Sequence, residues 1–543
     1  MKQITSIIGQ FPDKRLVAAV ALACGIFTGS DAVAQDGTAA LWGASGKDAS
    51  AERCASLTEL SVPGYDLSVI SADYIDTPDK MPAPKRPGRE VNKDAFTPYC
   101  RLEGTFEKRT GADGKPYAIG FAVAFPDNWN GSFLFQGGGG LNGILLEPMG
   151  ALAAGDVTAL FQGYAVASTD SGHKGVVFDT RFFSDQQALI NFYGQAVAKT
   201  TKLAKMLVAD YYREAPEHSY FVGCSTGGRE AMTMSQRYPD YFDGIIAGAP
   251  ARTTNLSEIG DLWSAYALRQ ATDPGDENPF SPEEQDLIVA SLLEQCDAKD
   301  GIRDKLIFDV KGCDFDPAVL QCGSGEQSSA SCLSATKVNA LKAAFAGPKR
   351  ANGDNVYPGF YFDTGISAKP DKSIPGLLQA MASPLGSPRL SQPFEIEAEL
   401  AFAKSYPLAP GNATLENLSS FAAYGSKLMF FHGVSDPWFS AKDTEEYFQR
   451  MTAANGGSEA VGEWSQLYFV PGMGHCGGGE HTLDKFNMLS ALVNWVEAGQ
   501  APKSITATGA SMPGVSRPLC PYPSVTHYLG QGDVNSASAF ECR

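Results

Sequence analysis

The chain has 543 residues, 43% of them hydrophobic, enough to bury a sizeable core and more than one average domain requires. Its formal net charge of −18 at pH 7 argues against a nucleic acid or an anionic membrane surface as a partner. With 57 glycines and 33 prolines, many loops and turns are expected.

The N-terminus reads as an export signal spanning residues 1–34. Lys14 and Arg15 precede the apolar run "LVAAVALACGIF", and "AVA" (32–34) puts small residues where a signal peptidase reads, so cleavage is expected after Ala34. The run is too short to anchor the chain across a bilayer, and no later segment reads as a transmembrane helix. A competing reading lipidates Cys24 within "ALAC", although the usual leucine stands one position out of place. Export leads to the periplasm or the extracellular space.

Further along, short apolar runs end in glycine-rich or polar turns. "GSFLFQGGGGLNG" (131–143) predicts a strand entering a glycine loop, and "GYAVASTDSGH" (163–173) a strand with a polar end. Residues 185–212 have the spacing and length of a helix. "HSYFVGCSTGGREAMTMSQRYP" (218–239) reads strand, turn, helix, and "FDGIIAGAPA" (242–251) reads as another strand. Such alternation implies an α/β fold with a mostly parallel sheet covered on both faces. From about 252 to 420 the alternation stops, which marks an inserted domain between two parts of the sheet domain, 35–251 and 421–543. It resumes with "SKLMFFHGVSDPWFS" (426–440) and "SQLYFVPGMGHCGGG" (465–479), and 482–499 predicts a terminal helix.

Apart from Cys24 there are ten cysteines, an even number that suits an oxidising compartment. Neighbours along the chain suggest Cys54–Cys100, Cys296–Cys313, Cys322–Cys332 and Cys520–Cys542. Cys224 and Cys476 are left for each other.

"GCSTG" matches the G-x-S-x-G turn in which a serine sits between a strand and a helix, so Ser225 is the candidate nucleophile. A serine hydroxyl needs a base. In an α/β-hydrolase the order along the chain is serine, acid, histidine, which removes His173 and His218. His475 follows an apolar strand directly and is the candidate base, with His481 as the alternative. His432 lies in or just after a strand, and His527 beyond the last core helix. Asp436, in the loop after the preceding strand, is the candidate acid that would hold the imidazole tautomer. The oxyanion donors expected are the backbone N–H of Thr226 and that of Gly138 or Gly139 in the early glycine loop. If Ser225 and His475 meet, Cys224 and Cys476 are close enough to bridge, stapling nucleophile and base loops together.

"GCSTGGRE", "GVSDPWFS" and "PGMGHCGGG" together resemble the tannase family, which includes feruloyl esterases and mono(2-hydroxyethyl) terephthalate hydrolase. The resemblance covers nearly the whole mature chain. It implies an α/β-hydrolase with a large inserted lid domain at 252–420, the triad Ser225, Asp436 and His475, and the same five disulfides. It also implies a structural calcium ion in the lid at "CDAKDGIRDKL" (296–306), held by Asp297, Asp300 and Asp304 with the carbonyls of Ile302 and Leu306. Acidic side chains closely spaced in a glycine-containing loop suit a hard cation. Trp438 and Phe439 are candidates to pack on an aromatic acyl group, with Phe360, Tyr361 and Arg389 as further lid candidates. An arginine at 389 would suit a substrate carboxylate. The expected partner is a small aromatic ester, a feruloyl ester before a gallate ester or terephthalate monoester. An inactive hydrolase fold used as a binding module is the rival from another class, and it usually lacks one of the three catalytic residue types present here.

Overall fold

The computed structural model describes residues 47–83, 91–272, 278–323, 328–367, 376–379 and 394–543. The expected signal peptide, with Cys24, and Arg389 fall outside these residues. In chain order, α1 (Lys47–Ser56) leads into β1 (Ser68–Ile75), β2 (Tyr99–Thr110), β3 (Pro116–Pro126), β4 (Ser132–Gln136) and β5 (Ala165–Thr169). Helices α2 (Gln186–Ile190) and α3 (Ala196–Tyr212) precede β6 (His218–Cys224), α4 (Thr226–Arg237) and β7 (Gly244–Gly248).

Among the described residues five helices then intervene: α5 (Thr254–Arg269), α6 (Pro282–Cys296), α7 (Ala335–Ala346), α8 (Ile396–Ser405) and α9 (Ser419–Ala423). The sheet resumes with β8 (Lys427–Gly433), α10 (Ala441–Ala454), α11 (Ser458–Gly462) and β9 (Ser465–Val470). The helix α12 (Met488–Ala498) follows, with short strands outside the main sheet at Lys485–Phe486 and beyond Ile505.

Nine strands form one mixed sheet in the order β1-β2-β3-β5-β4-β6-β7-β8-β9. From β5 to β9 all neighbours are parallel, while β1, β2, β3 and β5 pair antiparallel. The central strands "SFLFQ", "AVAST" and "GIIAG" are buried at every residue, as expected for parallel strands covered on both faces. One apolar cluster on each face supplies that cover, with Phe133, Phe135 and Phe221 in one and Leu134, Val222 and Leu492 in the other.

The antiparallel edge is not part of the alternating pattern read from sequence. The helix expected over 185–212 is broken, because Gly194 adopts φ 138°, a conformation a side chain disfavours, where a Cβ would meet Thr233 at 2.7 Å. Residues between β7 and β8 build their own apolar cluster, including Leu268, Ile288, Leu341 and Phe345. Among the described residues no helix is long and apolar enough to cross a membrane.

All five expected disulfides form: Cys54–Cys100, Cys224–Cys476, Cys296–Cys313, Cys322–Cys332 and Cys520–Cys542.

Candidate active site

Ser225 occupies the single residue between β6 and α4, with φ 65° and ψ −125°. A non-glycine residue in that region is strained, and the strain is held by hydrogen bonds on both sides. Its N–H donates to the Gly248 carbonyl, and its carbonyl accepts from Ala251 and Arg229. The turn is too tight for side chains nearby: a Cβ on Gly223 would lie 2.3 Å from the Gly227 carbonyl oxygen. The G-x-S-x-G spacing is therefore a packing requirement here.

Asp436 and His475 come from the loops after β8 and β9, which are adjacent parallel strands. His475 Nδ1 lies 2.7 Å from Asp436 Oδ2, so the ring donates there and keeps Nε2 as the acceptor. Asp436 Oδ1 accepts the backbone N–H groups of Trp438 and Phe439 at 2.9 and 3.1 Å. A second imidazole stands against the same carboxylate, His432 Nε2 at 3.5 Å from Oδ2. The His432 ring is itself fixed, at 2.9 Å from both Thr444 Oγ1 and the Phe439 carbonyl. Burial alone would push the Asp436 carboxyl up, but the imidazoles of His475 and His432 outweigh it and hold the group well below the usual carboxylate range.

The Cys224–Cys476 bridge ties the residue before Ser225 to the residue after His475, with Cα atoms 6.0 Å apart. His475 Nε2 lies 3.7 Å from the Cys476 sulfur and thus faces that bridge. The three residues read from sequence are therefore brought to one end of the sheet by one turn, two neighbouring loops and a covalent staple.

The glycine loop after β4 is tied to the same turn. Thr226 Oγ1 donates to the Gly140 carbonyl. Gly138, one of the two expected oxyanion donors, has its N–H committed to the buried carboxylate of Glu230 at 2.9 Å. Glu230, on α4, also accepts from Asn142 and, at 3.1 Å, from Ser171. Burial raises its carboxyl, with Arg229 opposing. Nothing in the residue pattern marks Glu230 as a support for the glycine loop, since its partners come from distant segments.

Ser225 and Thr226 open onto a cleft lined by Leu141, Phe178, Asp261, Trp438 and Phe439. The Trp438 and Phe439 rings also pack on the His475 imidazole, with centroids 4.8 and 5.2 Å away. Phe360 and Tyr361 are elsewhere. Phe360 is buried in the insert cluster, and the Tyr361 hydroxyl donates to Glu445, so both line a separate cavity with Lys311 and Lys442.

In the loop expected to bind calcium, Asp297 and Asp300 are buried. Burial raises both carboxyls, with the Asp304 charge adding to the rise, and Asp300 is pushed up to about 7. Both accept backbone N–H groups, from Asp304 and Lys305 and from Ile302 and Phe308, and as carboxylates they fit a hard divalent cation in donor type. Asp304 is already paired, 3.1 Å from Arg517 Nε. Among the described residues, no group of three or more His, Cys, Asp or Glu side chains is arranged to hold a metal ion.

Comparison with known proteins bears on this arrangement. A family model described as tannase and feruloyl esterase matches residues 100–394 and 397–543. The mono(2-hydroxyethyl) terephthalate hydrolase of Piscinibacter sakaiensis is 34% identical, over 82% of this chain and 85% of that protein. A protein named probable feruloyl esterase B from Emericella nidulans is 30% identical, over 88% of this chain and 92% of its own length. Among solved structures, feruloyl esterase B from Aspergillus oryzae superposes with a TM-score of 0.74 at 24% identity, over 91% of this chain and all of that one.

Proposed function

The chain belongs to the tannase and feruloyl esterase family, and from that premise we propose that it is an exported serine hydrolase of carboxylic esters of aromatic acids. Ser225 Oγ attacks the ester carbonyl while His475 Nε2 takes its proton, and Asp436 stabilises the imidazolium that forms. Collapse of the tetrahedral species, with the proton passed to the leaving alcohol, gives an acyl-enzyme. Water activated by the same imidazole then releases the acid. The oxyanion is met by the Thr226 N–H and by the glycine loop. The Gly138 N–H already donates to Glu230, so Gly138 would serve the oxyanion only by leaving that carboxylate.

The observation that carries this reading is the 2.7 Å Asp436–His475 contact on a loop disulfide-linked to the strained Ser225 turn. Feruloyl esters are the leading substrates, with gallate esters and terephthalate monoesters next. Five disulfides support export to an oxidising compartment. The proposal extends to a structural calcium ion held by Asp297, Asp300 and Asp304 with the carbonyls of Ile302 and Leu306, where it would neutralise buried charge and brace the insert.

A screen of the purified chain against methyl ferulate, methyl gallate and a terephthalate monoester tests the function, with Ser225→Ala as the blank. Loss of about 10⁵-fold or more in kcat on Ser225→Ala is expected. Hydrolysis retained in that variant would place the nucleophile elsewhere.

A further inference from the structure

Asp261 takes no part in the chemistry above, yet it faces the same cleft. On α5, Thr254, Ser257, Asp261 and Ser264 recur at helical spacing, so one face of the helix carries a polar stripe. Thr254, Ser257 and Asp261 line the Ser225 cleft. Asp261 and Ser264 line an adjoining cavity with Gly376, Leu377 and Trp438. Asp261 and Trp438 thus stand where the two cavities meet.

Asp261 is 5% exposed, and its Oδ1 has no hydrogen-bond partner. The Trp438 indole Nε1 is buried and unpartnered as well. Two orphaned polar groups, one acceptor and one donor, flank a single cavity. Leaving them so is unfavourable, and a polar ligand atom between them would satisfy both.

The surroundings decide the charge of that ligand. Among the described residues, Glu258 on the same helix, Asp436 from the catalytic loop and the Tyr357 hydroxyl are the titratable groups that face Asp261. Burial first, then Asp436 and Glu258, pushes the Asp261 carboxyl well above its ordinary range and so favours its neutral form. None of the described residues lining the two cavities is Arg, Lys or His. Among these described residues a carboxylate on the ligand would meet acids and no cation. An uncharged hydroxyl would donate to Asp261 and accept from Trp438, with its ring held between Phe178, Trp438 and Phe439.

We infer that Asp261 is a specificity-determining residue: with Trp438 it reads a neutral hydroxyl on the aromatic acyl ring, and it excludes a ring that carries a carboxylate. The inference rests on the proposed esterase activity and narrows its substrate class to phenolic esters over terephthalate monoesters.

The test compares kcat/KM for methyl 4-hydroxycinnamate, methyl cinnamate and monomethyl terephthalate on the purified chain, Asp261→Leu and Asp261→Asn. One recovered hydrogen bond predicts a preference of about five- to tenfold for the hydroxylated ester over methyl cinnamate. Monomethyl terephthalate should rank last. Asp261→Leu should erase the preference, whereas Asp261→Asn, which keeps a neutral donor and acceptor, should retain it. An unchanged ratio in folded Asp261→Leu, or a wild-type preference for the terephthalate monoester, would overturn the inference.

Binding of the three esters to Ser225→Ala, followed by Trp fluorescence, decides the ranking without turnover. If no ester is hydrolysed, the esterase reading fails by itself while the binding ranking still judges Asp261. If Asp261→Leu does not fold, the wild-type ranking decides.

Discussion

At the scale of single residues, Asp436 does the positioning. It is gripped by two imidazoles and two backbone N–H groups, so its carboxylate has one orientation to offer His475. Asp436→Asn should lower kcat by about 10³–10⁴-fold with little change in KM, because the wrong tautomer of His475 would then be favoured. Steady-state kinetics on a folded variant would check this, and a KM effect alone would count against it. His432→Phe should lower kcat by less, again with KM held, since it removes only the outer grip on the carboxylate.

The three residues proposed to act in catalysis could be picked out because each sits in a turn whose chemistry is local. Ser225 is marked by its glycines, and Asp436 and His475 by their places in loops directly after apolar strands. The role of His432 was not legible. Its side chain is fixed by Thr444 on α10 and by the Phe439 carbonyl, contacts that only the folded chain assembles.

Among elements, α4 and the glycine loop act as one piece through Glu230. Glu230→Ala should leave the Gly138 N–H and Ser171 without their shared acceptor, at a cost of about 1–3 kcal/mol, whereas Glu230→Gln keeps an acceptor oxygen. Denaturant melts of the two variants should separate, with a lower kcat in Glu230→Ala. The Cys224–Cys476 bridge spans 252 residues, for which the chain-entropy model gives about 5 kcal/mol. Replacing both cysteines by serine should therefore lower the melting temperature and also kcat; an unchanged melt would remove the staple from the argument. The parallel strands were readable from their continuous apolar runs, buried on both faces. The antiparallel edge β1–β3 was not, because β1 and β2 mix charged and apolar residues, as in "YCRLEGTFEKRT". Their pairing depends on neighbours rather than on a local pattern.

Over the whole molecule, pH acts through buried carboxyls, and so would the proposed calcium ion. Asp170, at the end of β5, is pushed up to about 7 by burial, against hydrogen bonds from Gly120 and Gly172. Its unfolded value is 3.8, so between roughly pH 4 and pH 7 the folded state holds the extra proton. Stability from this group therefore falls as pH rises through that window, and Asp170→Asn should flatten the slope in denaturant melts at pH 5 and pH 8. A calcium chelator should lower the wild-type melting temperature and leave Asp300→Asn unmoved; a chelator-insensitive wild type would remove the ion from the proposal.

The insert between β7 and β8 departs from and rejoins the sheet at two strands that lie side by side, with Ala249 donating to the Phe431 carbonyl at the junction. Closing a loop between fixed neighbours costs only about 0.6 kcal/mol for each doubling of its length. A hybrid that grafts a relative's segment in place of residues 252–420 is thus expected to keep its nucleophile, acid and base while adopting the donor's ranking of esters, which makes this fold an inexpensive chassis for new specificities.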